Sequence, residues 1–344
     1  MPYPELEPEP ELSGDEIVLC DGGGRLNHEA IGWTRRPVHL CSIPGRWPRK
    51  KKWNDWCIFD GNNFFSARIA SLDYAGFVHL CLANLAEKTV FQQTLSLPLA
   101  RGCVLPDSVG GSVHFRNKTL RLDIEPDASG TTIQVELSTR DQGSFSANLT
   151  VRRPASQESV NVVVPLGDDH FQFASKQLCL PASGTVGTAN DSATFDESET
   201  FACLDFGRGV WPATNFWNSA VASTIQNGRT IGMNLSSGWT DGTGMTENAI
   251  ILDGKVVKVS EEIEFGYGAV DSLMPWTIKT KHTEQIALEF TPTFHWTNIA
   301  RALFVRSTVE QVAGRFSGSV VTDSGETIVI ENALGWTQEH TAKW

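Results

Sequence analysis

Short runs of alternating apolar and polar residues, each bounded by Gly, Pro, Asp or Asn, recur along almost the whole chain. In one of them Ile133, Val135 and Leu137 alternate with polar residues. Successive side chains of a β-strand point to opposite faces, so this pattern predicts a strand with one buried and one solvated face. Long amphipathic helical periodicity is nearly absent, which disfavours alternating strands and helices. We therefore expect an all-β protein built from antiparallel barrels or sandwiches.

The 344 residues suit one large or two medium domains, and the composition changes at two places. Residues 1–16 alternate proline with glutamate, which predicts a disordered acidic tail. Residues 181–198 are poor in large apolar side chains and rich in Gly, Ser, Thr and Asp, as linkers are. We expect two β-barrels or sandwiches in tandem, over 17–180 and 199–344, with few short helices.

Two local patterns in the second half make sharper predictions. Asp253 and Gly254 lie between two strand-like runs, which predicts a β-hairpin with a type I′ turn. The stretch 212–224 is ambiguous, because its apolar spacing suits a short helix as well as a strand.

Composition disfavours several classes of function. Asp and Glu number 40 against 28 Lys and Arg, giving a net charge of −12. Such a surface disfavours nucleic-acid binding and docking on anionic lipid, and no apolar run approaches the ~20 residues that span a bilayer. The seven cysteines and eight histidines lack metal-ligand spacing, and we expect neither a metal nor an organic cofactor. Scattered cysteines without a secretory leader predict a cytoplasmic protein with reduced thiols.

Residues 203–254 combine tryptophans, carboxylates and amides more densely than any other part of the chain. Broad aromatic faces with a few polar groups are typical of a site for a hydrophobic small molecule, here of lipid, isoprenoid or polyketide type. We select Asp205 and Glu247 as candidate catalytic residues. His39 is a third, less favoured candidate for acid/base catalysis. The candidate substrate-binding residues are Trp53, Trp56, Arg35, Arg208, Trp211, Trp217, Asn234, Trp239 and Asn248.

A carboxylic acid kept neutral by apolar surroundings can protonate an alkene, and indole faces stabilise the resulting cation. This chemistry favours a cofactor-free hydratase, cyclase or isomerase that uses Asp205 and Glu247. Alternatively, Asp205 forms an ion pair with nearby Arg208 and only holds a loop. Two other functions stay open: a carrier of apolar ligands without catalysis, and a scaffold whose tryptophans are structural throughout.

Several segments match a known family in order along the chain. They are DGGGRLNHEAIGWTRRPVH (21–39), KKWNDWC (51–57), LDFGRGVWP (204–212), IGMNLSSGWTDGTGMTENAIILDGK (231–255), MPWTIKT (274–280), LEFTPTF (288–294) and the final stretch from Ser317. Together they resemble the domain of unknown function numbered 2804. The resemblance implies two lipocalin-like barrels in the style of the calycin group, which includes carotenoid hydratases, but no settled activity. The chain has Ala342, Lys343 and Trp344 where the family usually has Asn-Arg-Trp.

Overall fold

The computed structural model describes residues 8–139, 143–167, 169–268, 272–302 and 304–344; the first seven residues of the predicted tail lie outside it. In the first part of the chain the strands are β1 (Ile17–Val18), β2 (Gly32–Thr34), β3 (His39–Leu40), β4 (Lys50–Phe59), β5 (Asn63–Ser71), β6 (Ala75–Asn84), β7 (Thr89–Pro98), β8 (Val113–Arg116), β9 (Leu120–Pro126), β10 (Gly130–Thr139), β11 (Gly143–Arg152) and β12 (Val160–Pro165). The remaining strands are β13 (Phe171–Thr188), β14 (Ser192–Phe195), β15 (Phe201–Val210), β16 (Thr214–Gln226), β17 (Arg229–Ser237), β18 (Ala249–Leu252), β19 (Lys255–Lys258), β20 (Ile263–Gly266), β21 (Trp276–Thr280), β22 (Ile286–Ala302), β23 (Val305–Val321) and β24 (Thr327–Lys343). A short 3-10 helix spans His28–Ala30.

All of these strands except β1 and β3, which pair in a small parallel sheet, form two large curled antiparallel sheets. This confirms the predicted all-β, lipocalin-like architecture. The first sheet follows the order β7-β6-β5-β4-β15-β13-β11-β10-β9-β8, with β12, β14 and β2 attached beside β13. The second follows the order β19-β18-β17-β16-β24-β23-β22-β21-β20. Among the described residues, no helix is long and apolar enough to cross a membrane.

The structure decides both local predictions for the second half, the hairpin at Asp253 and Gly254 and the conformation of 212–224. Strands β18 and β19 pair across Asp253 and Gly254, both with positive φ, which confirms the type I′ hairpin. The ambiguous stretch 212–224 lies mostly in strand β16 and contains no helix. Its β-branched and aromatic residues pack between β17 and β24, so the sheet determines the conformation there.

Each sheet buries one face in its own interior. Phe65, Phe173 and Phe206 belong to the core of the first sheet, while Phe290 and Phe316 belong to that of the second. The other face of the central strands of the first sheet packs against the second sheet, where Phe59 and Phe64 lie edge-on to Trp336. Because these strands are buried on both faces, β6 is buried along almost its whole length, including its polar residue His79.

The boundary expected near residues 181–198 is wrong. Strand β13 runs through it to Thr188, β14 follows, and β15 returns to pair with β4 and β13 in the first sheet. The chain therefore leaves the first sheet after Val210, not at residue 199. Low apolar content here reflects exposed strand ends, because a strand at the rim of a sheet needs few large side chains.

The described end of the predicted tail is also ordered by specific contacts. The Nε1–H of Trp33 donates to the carbonyl oxygen of Glu9 at 3.3 Å, and the N–H of Trp33 donates to Pro10 at 2.9 Å. The Glu9 carboxylate lies 2.8 Å from the Nζ of Lys258, and both side chains are buried. Residues 9–12 thus connect the first sheet to the second.

Candidate ligand cavity and acid/base site

A cavity of about 100 Å³ lies between the two sheets. The first sheet contributes residues of β4, β5, β6, β7, β13 and β15, and the second contributes residues of β16, β22, β23 and β24. The irregular segment 238–248, which follows β17, adds Trp239 and Glu247. The sequence predicted a cavity inside one barrel; the structure instead fills each barrel interior with side chains and places this cavity where the two sheets meet.

Tryptophans form one end of the cavity, arranged around Trp211. The ring of Trp211 stacks on Trp239 with centroids 5.2 Å apart, and it contacts Trp53 at 5.6 Å, Trp217 at 5.5 Å and Trp344 at 5.9 Å. The Nε1–H of Trp211 donates to Gln172, which fixes the central ring. These five rings present large apolar faces to a bound molecule.

A row of polar side chains crosses the first sheet along the cavity. Its members stand directly opposite one another on six consecutive strands of the sheet: Lys176, Asp205, Asp55, Arg68, His79 and Thr94. Lys176 Nζ lies 2.9 Å from Asp205 Oδ2, and the Arg68 Nε–H donates to Asp55 at 2.8 Å. The Nε1–H of Trp53 also donates to Asp205, at 3.0 Å, which joins this polar row to the tryptophans.

The two-residue repeat of a strand explains which predicted residues reach the cavity. Trp53 and Asp55 share a face of β4, whereas Trp56, three residues after Trp53, points into the core of the first sheet. In β15, Asp205 faces the cavity and Arg208 faces away for the same reason. The predicted pair between Asp205 and Arg208 is therefore wrong, because residues three apart on a strand lie on opposite faces.

Glu247 approaches this row from the second half of the chain. Its side chain is almost fully buried, and Oε2 lies 3.2 Å from Lys176 Nζ. The amide of Asn234 donates to the Glu247 carbonyl oxygen at 3.0 Å, while Asn248 accepts from the Ser236 N–H at 2.6 Å and donates to Glu261 at 2.9 Å. Asn234 and Asn248, predicted to bind substrate, thus hold the backbone around Glu247, although Asn234 also lines an adjoining cavity.

The two carboxylates compete for one lysine. Burial favours the neutral amine of Lys176, yet the charges of Asp205 and Glu247 together raise its pKa. Burial raises the pKa of Glu247, and the Asp205 carboxylate raises it further, although Lys176 opposes this. Because Asp205 is nearer to the lysine, we regard Lys176 and Asp205 as the ion pair and Glu247 as a carboxyl group whose pKa burial raises.

Two buried histidines line the same cavity. Burial, together with the charge of Arg68, lowers the pKa of His79 to about 3. The same two causes hold the pKa of His340 well below its usual range. His340 packs on Trp217 with ring centroids 3.9 Å apart and is hydrogen-bonded to Ser307 at 2.7 Å. Both rings are neutral at pH 7.

A second, smaller cavity of about 50 Å³ adjoins the first behind the polar row. Arg68, His79, Lys176 and Asp205 line both cavities. The Oδ1 atom of Asp55 is buried there without a hydrogen-bond partner among the described residues. A polar space of this size holds a water molecule, and such a water would satisfy the Asp55 oxygen.

Three other predicted site residues lie away from the cavity. Arg35 is at the surface, where it contacts Glu11 and Glu158 and donates to the Val256 carbonyl at 2.7 Å, so that it joins the two halves. The guanidinium of Arg208 is fully buried and donates to carbonyl oxygens of Trp53, Pro106 and Gly207. His39 is buried against Phe173 at 4.7 Å, and burial lowers its pKa to about 4.

Sequence reasoning missed Lys176, Asp55, Arg68, His79, Asn298, Gln338, His340 and Trp344, all of which line one or both cavities. A signal for three of them was present: Asp55, Arg68 and Lys176 are isolated charges inside strongly apolar strands. A charge in such a strand requires a buried partner. The strand register that supplies the partners is not visible in the sequence.

The fold and the cavity define a lipocalin-like protein of two β-sheets with a tryptophan-lined cavity between them. The chain belongs to the family described as the domain of unknown function DUF2804, whose model matches residues 9–344. No curated protein matches the chain in sequence.

Solved structures share the fold at low sequence identity. The crystal structure of CghA with Sch210972 is similar, with a TM-score of 0.55 and 13% identity over 86% of this chain and 89% of that one. Kievitone hydratase from Nectria haematococca is similar with a TM-score of 0.50 and 9% identity, over 86% of this chain and 88% of that one. At such identities the likeness concerns the fold, and the function must be argued from the site.

Proposed function

We propose that this protein binds a hydrophobic small molecule in the cavity between its sheets and carries out cofactor-free acid/base chemistry on it. Hydration, cyclisation and isomerisation are the reactions that such a site suits. The observation that carries the proposal is the position of Glu247: a buried carboxyl group of raised pKa beside a tryptophan-lined cavity. Perturbed carboxyl groups at the edge of an apolar cavity are typical of catalytic acids.

Each group near Glu247 has a distinct role in this mechanism. Glu247 transfers its proton to a carbon of an alkene in the bound molecule, and the positive charge left on the substrate is stabilised by the indole faces. Lys176 stabilises the Glu247 carboxylate that results, at 3.2 Å. Asp205 keeps Lys176 charged and oriented throughout.

The fate of the cation decides between the three reactions. In a hydration, water adds to the cation and its surplus proton returns to Glu247, so the acid is regenerated. The smaller cavity beside Asp55 supports this branch, because it holds polar space next to the reacting position. In a cyclisation or isomerisation, the cation reacts within the substrate and a proton from a neighbouring carbon returns to Glu247. The likeness in fold to kievitone hydratase is compatible with the first branch.

A non-catalytic carrier of lipids or other apolar molecules is the second candidate function. The same tryptophans would bind the ligand, and the ion pair of Lys176 and Asp205 would only orient its polar end. The carrier function does not require the raised pKa of Glu247, which is why we prefer catalysis.

Two measurements test the proposal. Mass spectrometry of small molecules that co-purify with the protein identifies a ligand, and turnover of that ligand is then followed with Glu247→Gln and Asp205→Asn. Both changes preserve shape and remove acidity. For an enzyme, Glu247→Gln abolishes turnover and preserves affinity, whereas Asp205→Asn lowers turnover by a smaller factor.

Glu261→Gln is the matched control. Glu261 is a buried carboxylate in the same half of the chain, and it accepts hydrogen bonds from Thr283 outside the cavity. This variant should retain turnover. Unchanged turnover in Glu247→Gln would disprove the catalytic role, and absence of turnover in the wild-type protein would favour the carrier.

A further inference from the structure

We infer that the ligand of this cavity is an uncharged, planar molecule with one hydrogen-bond-accepting oxygen, and that the Nε2–H of His79 binds that oxygen. This inference rests on the proposed function and specifies its substrate class. Three independent features of the cavity lead to it: the pairing of its charges, the orientation of a hydrogen-bond network and the size of the enclosed space.

The charges that line the cavity are already paired with one another. Lys176 is matched by Asp205, and Arg68 by Asp55, so neither cation is left over for an anionic ligand. The remaining carboxyl group, that of Glu247, repels an anion when ionised and is neutral when protonated. A charged ligand would lose its hydration without gaining an unpaired partner, which costs several kcal/mol. The lining therefore favours an uncharged molecule.

A chain of hydrogen bonds that begins at a backbone carbonyl fixes the tautomer of His79. The Thr297 carbonyl oxygen can only accept, so the Gln92 amide nitrogen faces it at 2.8 Å. The Gln92 oxygen then faces Asn298 Nδ2 at 3.5 Å, and the same nitrogen lies 3.1 Å from His79 Nδ1. Thr94 Oγ1 lies 2.9 Å from the same Nδ1 and can donate its hydroxyl proton there. Because the Asn298 amide also points a donor at Nδ1, we assign the proton of the neutral imidazole to Nε2.

The Nε2–H of His79 has no hydrogen-bond acceptor among the described residues, while the ring lines both cavities. An N–H group that faces a cavity without a protein acceptor is available to a ligand, and a ligand oxygen would accept its hydrogen bond. A carbonyl, ether or hydroxyl oxygen serves equally well, since each accepts from an N–H. His79 is thus assigned as a specificity-determining residue on the charged side of the cavity.

The enclosed space limits the part of the ligand that is buried. The main cavity measures about 100 Å³. An engineered apolar cavity of about 150 Å³ holds one benzene molecule. Because this cavity is smaller, it takes the oxygen substituent and only the adjoining part of one ring, beside the tryptophans around Trp211. A longer molecule would extend past the tryptophans.

Three probes with the same nine-heavy-atom skeleton test the inference: acetophenone, cumene and benzoate. Acetophenone carries the neutral acceptor, cumene carries none, and benzoate carries a charge. Binding to the full chain is measured by quenching of tryptophan fluorescence. We expect acetophenone to bind about five- to tenfold more tightly than cumene, the value of one hydrogen bond, and benzoate to bind most weakly.

Variants of His79 assign the effect to that residue. His79→Phe should make acetophenone and cumene bind equally, because the donor to the oxygen is then gone. His79→Gln keeps an N–H donor at a similar distance from the backbone, so it should restore part of the preference for acetophenone over cumene. This variant also shows whether a substitution at this position allows the protein to fold. The inference is overturned if wild-type protein prefers benzoate to acetophenone, or if His79→Phe keeps the preference. Binding of cumene without any preference for acetophenone would overturn it and leave the proposed cavity intact, whereas failure of all three probes to bind would overturn both.

Discussion

The two walls of the cavity differ in charge. Among the described lining residues, the first sheet supplies Asp55, Arg68, Lys176 and Asp205 from four strands, whereas the strands of the second sheet supply uncharged residues such as Trp217, Asn298, Gln338 and His340. The one carboxyl group from the second half, that of Glu247, comes from an irregular segment between β17 and β18. The strands thus provide a fixed, paired set of charges, and a loop provides a carboxyl group that shares its lysine with a strand residue.

This difference assigns the paired, stabilising charges to the strands and the proposed proton donor to an irregular segment. Cross-strand pairs on the wall formed by the first sheet offset each other's charges in a fixed register. Glu247 has no such partner of its own, and burial raises its pKa although Lys176 opposes this. The following predictions test whether the ion pairs of the first sheet stabilise the fold and whether the groups assigned to the ligand act as proposed.

The largest effect on stability is expected from Lys176→Met, which removes the cation shared by both carboxylates. The buried Glu247 and the partly exposed Asp205 then lack their partner, and the free energy of unfolding should fall by about 3–5 kcal/mol. Urea denaturation measures this loss. Adding Asp205→Asn and Glu247→Gln to the same chain should recover most of it, because the buried charges are then gone.

Lys279→Met is the control for this change, since Lys279 forms an ion pair with Glu264 on the exposed surface. Its effect should be within experimental error, as for most exposed pairs. If Lys176→Met also left the free energy of unfolding unchanged, the stability of the first sheet would not depend on its paired charges.

A strong effect is also expected at acid pH from the buried histidines. The pKa of His79 in the folded protein is about 3, below its value of about 6.5 in the unfolded chain. The unfolded state therefore binds more protons below pH 6.5, so the stabilisation present above that pH is lost as the pH falls towards 3. The slope is about 1.4 kcal/mol per pH unit for each such histidine.

His79→Gln should remove one such contribution, which is measured as a shallower fall in the free energy of unfolding between pH 6.5 and 4.5. The same variant at pH 8, where the wild-type ring is neutral in both states, gives the cost of the substitution itself. An unchanged acid slope would mean that His79 is accessible to protons in the folded protein.

A smaller effect is expected from Asn298→Ala, which removes hydrogen bonds between the two walls. Asn298 donates to His79 at 3.1 Å and to Thr94 at 3.2 Å across the interface. Their loss should cost about 1–2 kcal/mol in thermal unfolding. It should also weaken the preference for acetophenone over cumene, because His79 is then free to change tautomer. A full preference in this variant would argue against the assigned tautomer.

The smallest effect is expected from Arg35→Met at the surface. Arg35 is about a third exposed and pairs with Glu11 and Glu158, so solvent screening limits the loss to about 1 kcal/mol or less. Affinity for small molecules should not change, because Arg35 lies outside the cavity. A change in affinity would restore Arg35 as a site residue.

Particular residues show how far the sequence could be interpreted. Alternating patterns predicted the strands, and the turn at Asp253 and Gly254 predicted its hairpin, because both depend on local geometry alone. The composition of 203–254 predicts a cluster of aromatic and polar side chains, and its three tryptophans meet in space around Trp211. These predictions need only the properties of residues that are close together in the sequence.

The remaining features depend on how distant strands pair. Lys176 is placed beside Asp205 by the register of β13 and β15, and Asp55 beside Arg68 by that of β4 and β5. No local pattern encodes such a register when both faces of a strand are buried, since alternation is then lost. For the same reason the cavity was expected inside a barrel and is found between two sheets.

The central claim is that burial raises the pKa of Glu247 beside the cavity although a lysine lies 3.2 Å away. Carbon-13 NMR of protein labelled at glutamate side-chain carboxyl groups, titrated with pH and assigned with Glu247→Gln, measures this directly. We expect a Glu247 resonance that titrates above pH 4.5, the usual pKa of a glutamate side chain. A Glu247 carboxyl group that ionises at or below that pH, as an ordinary lysine-paired carboxylate does, would contradict it.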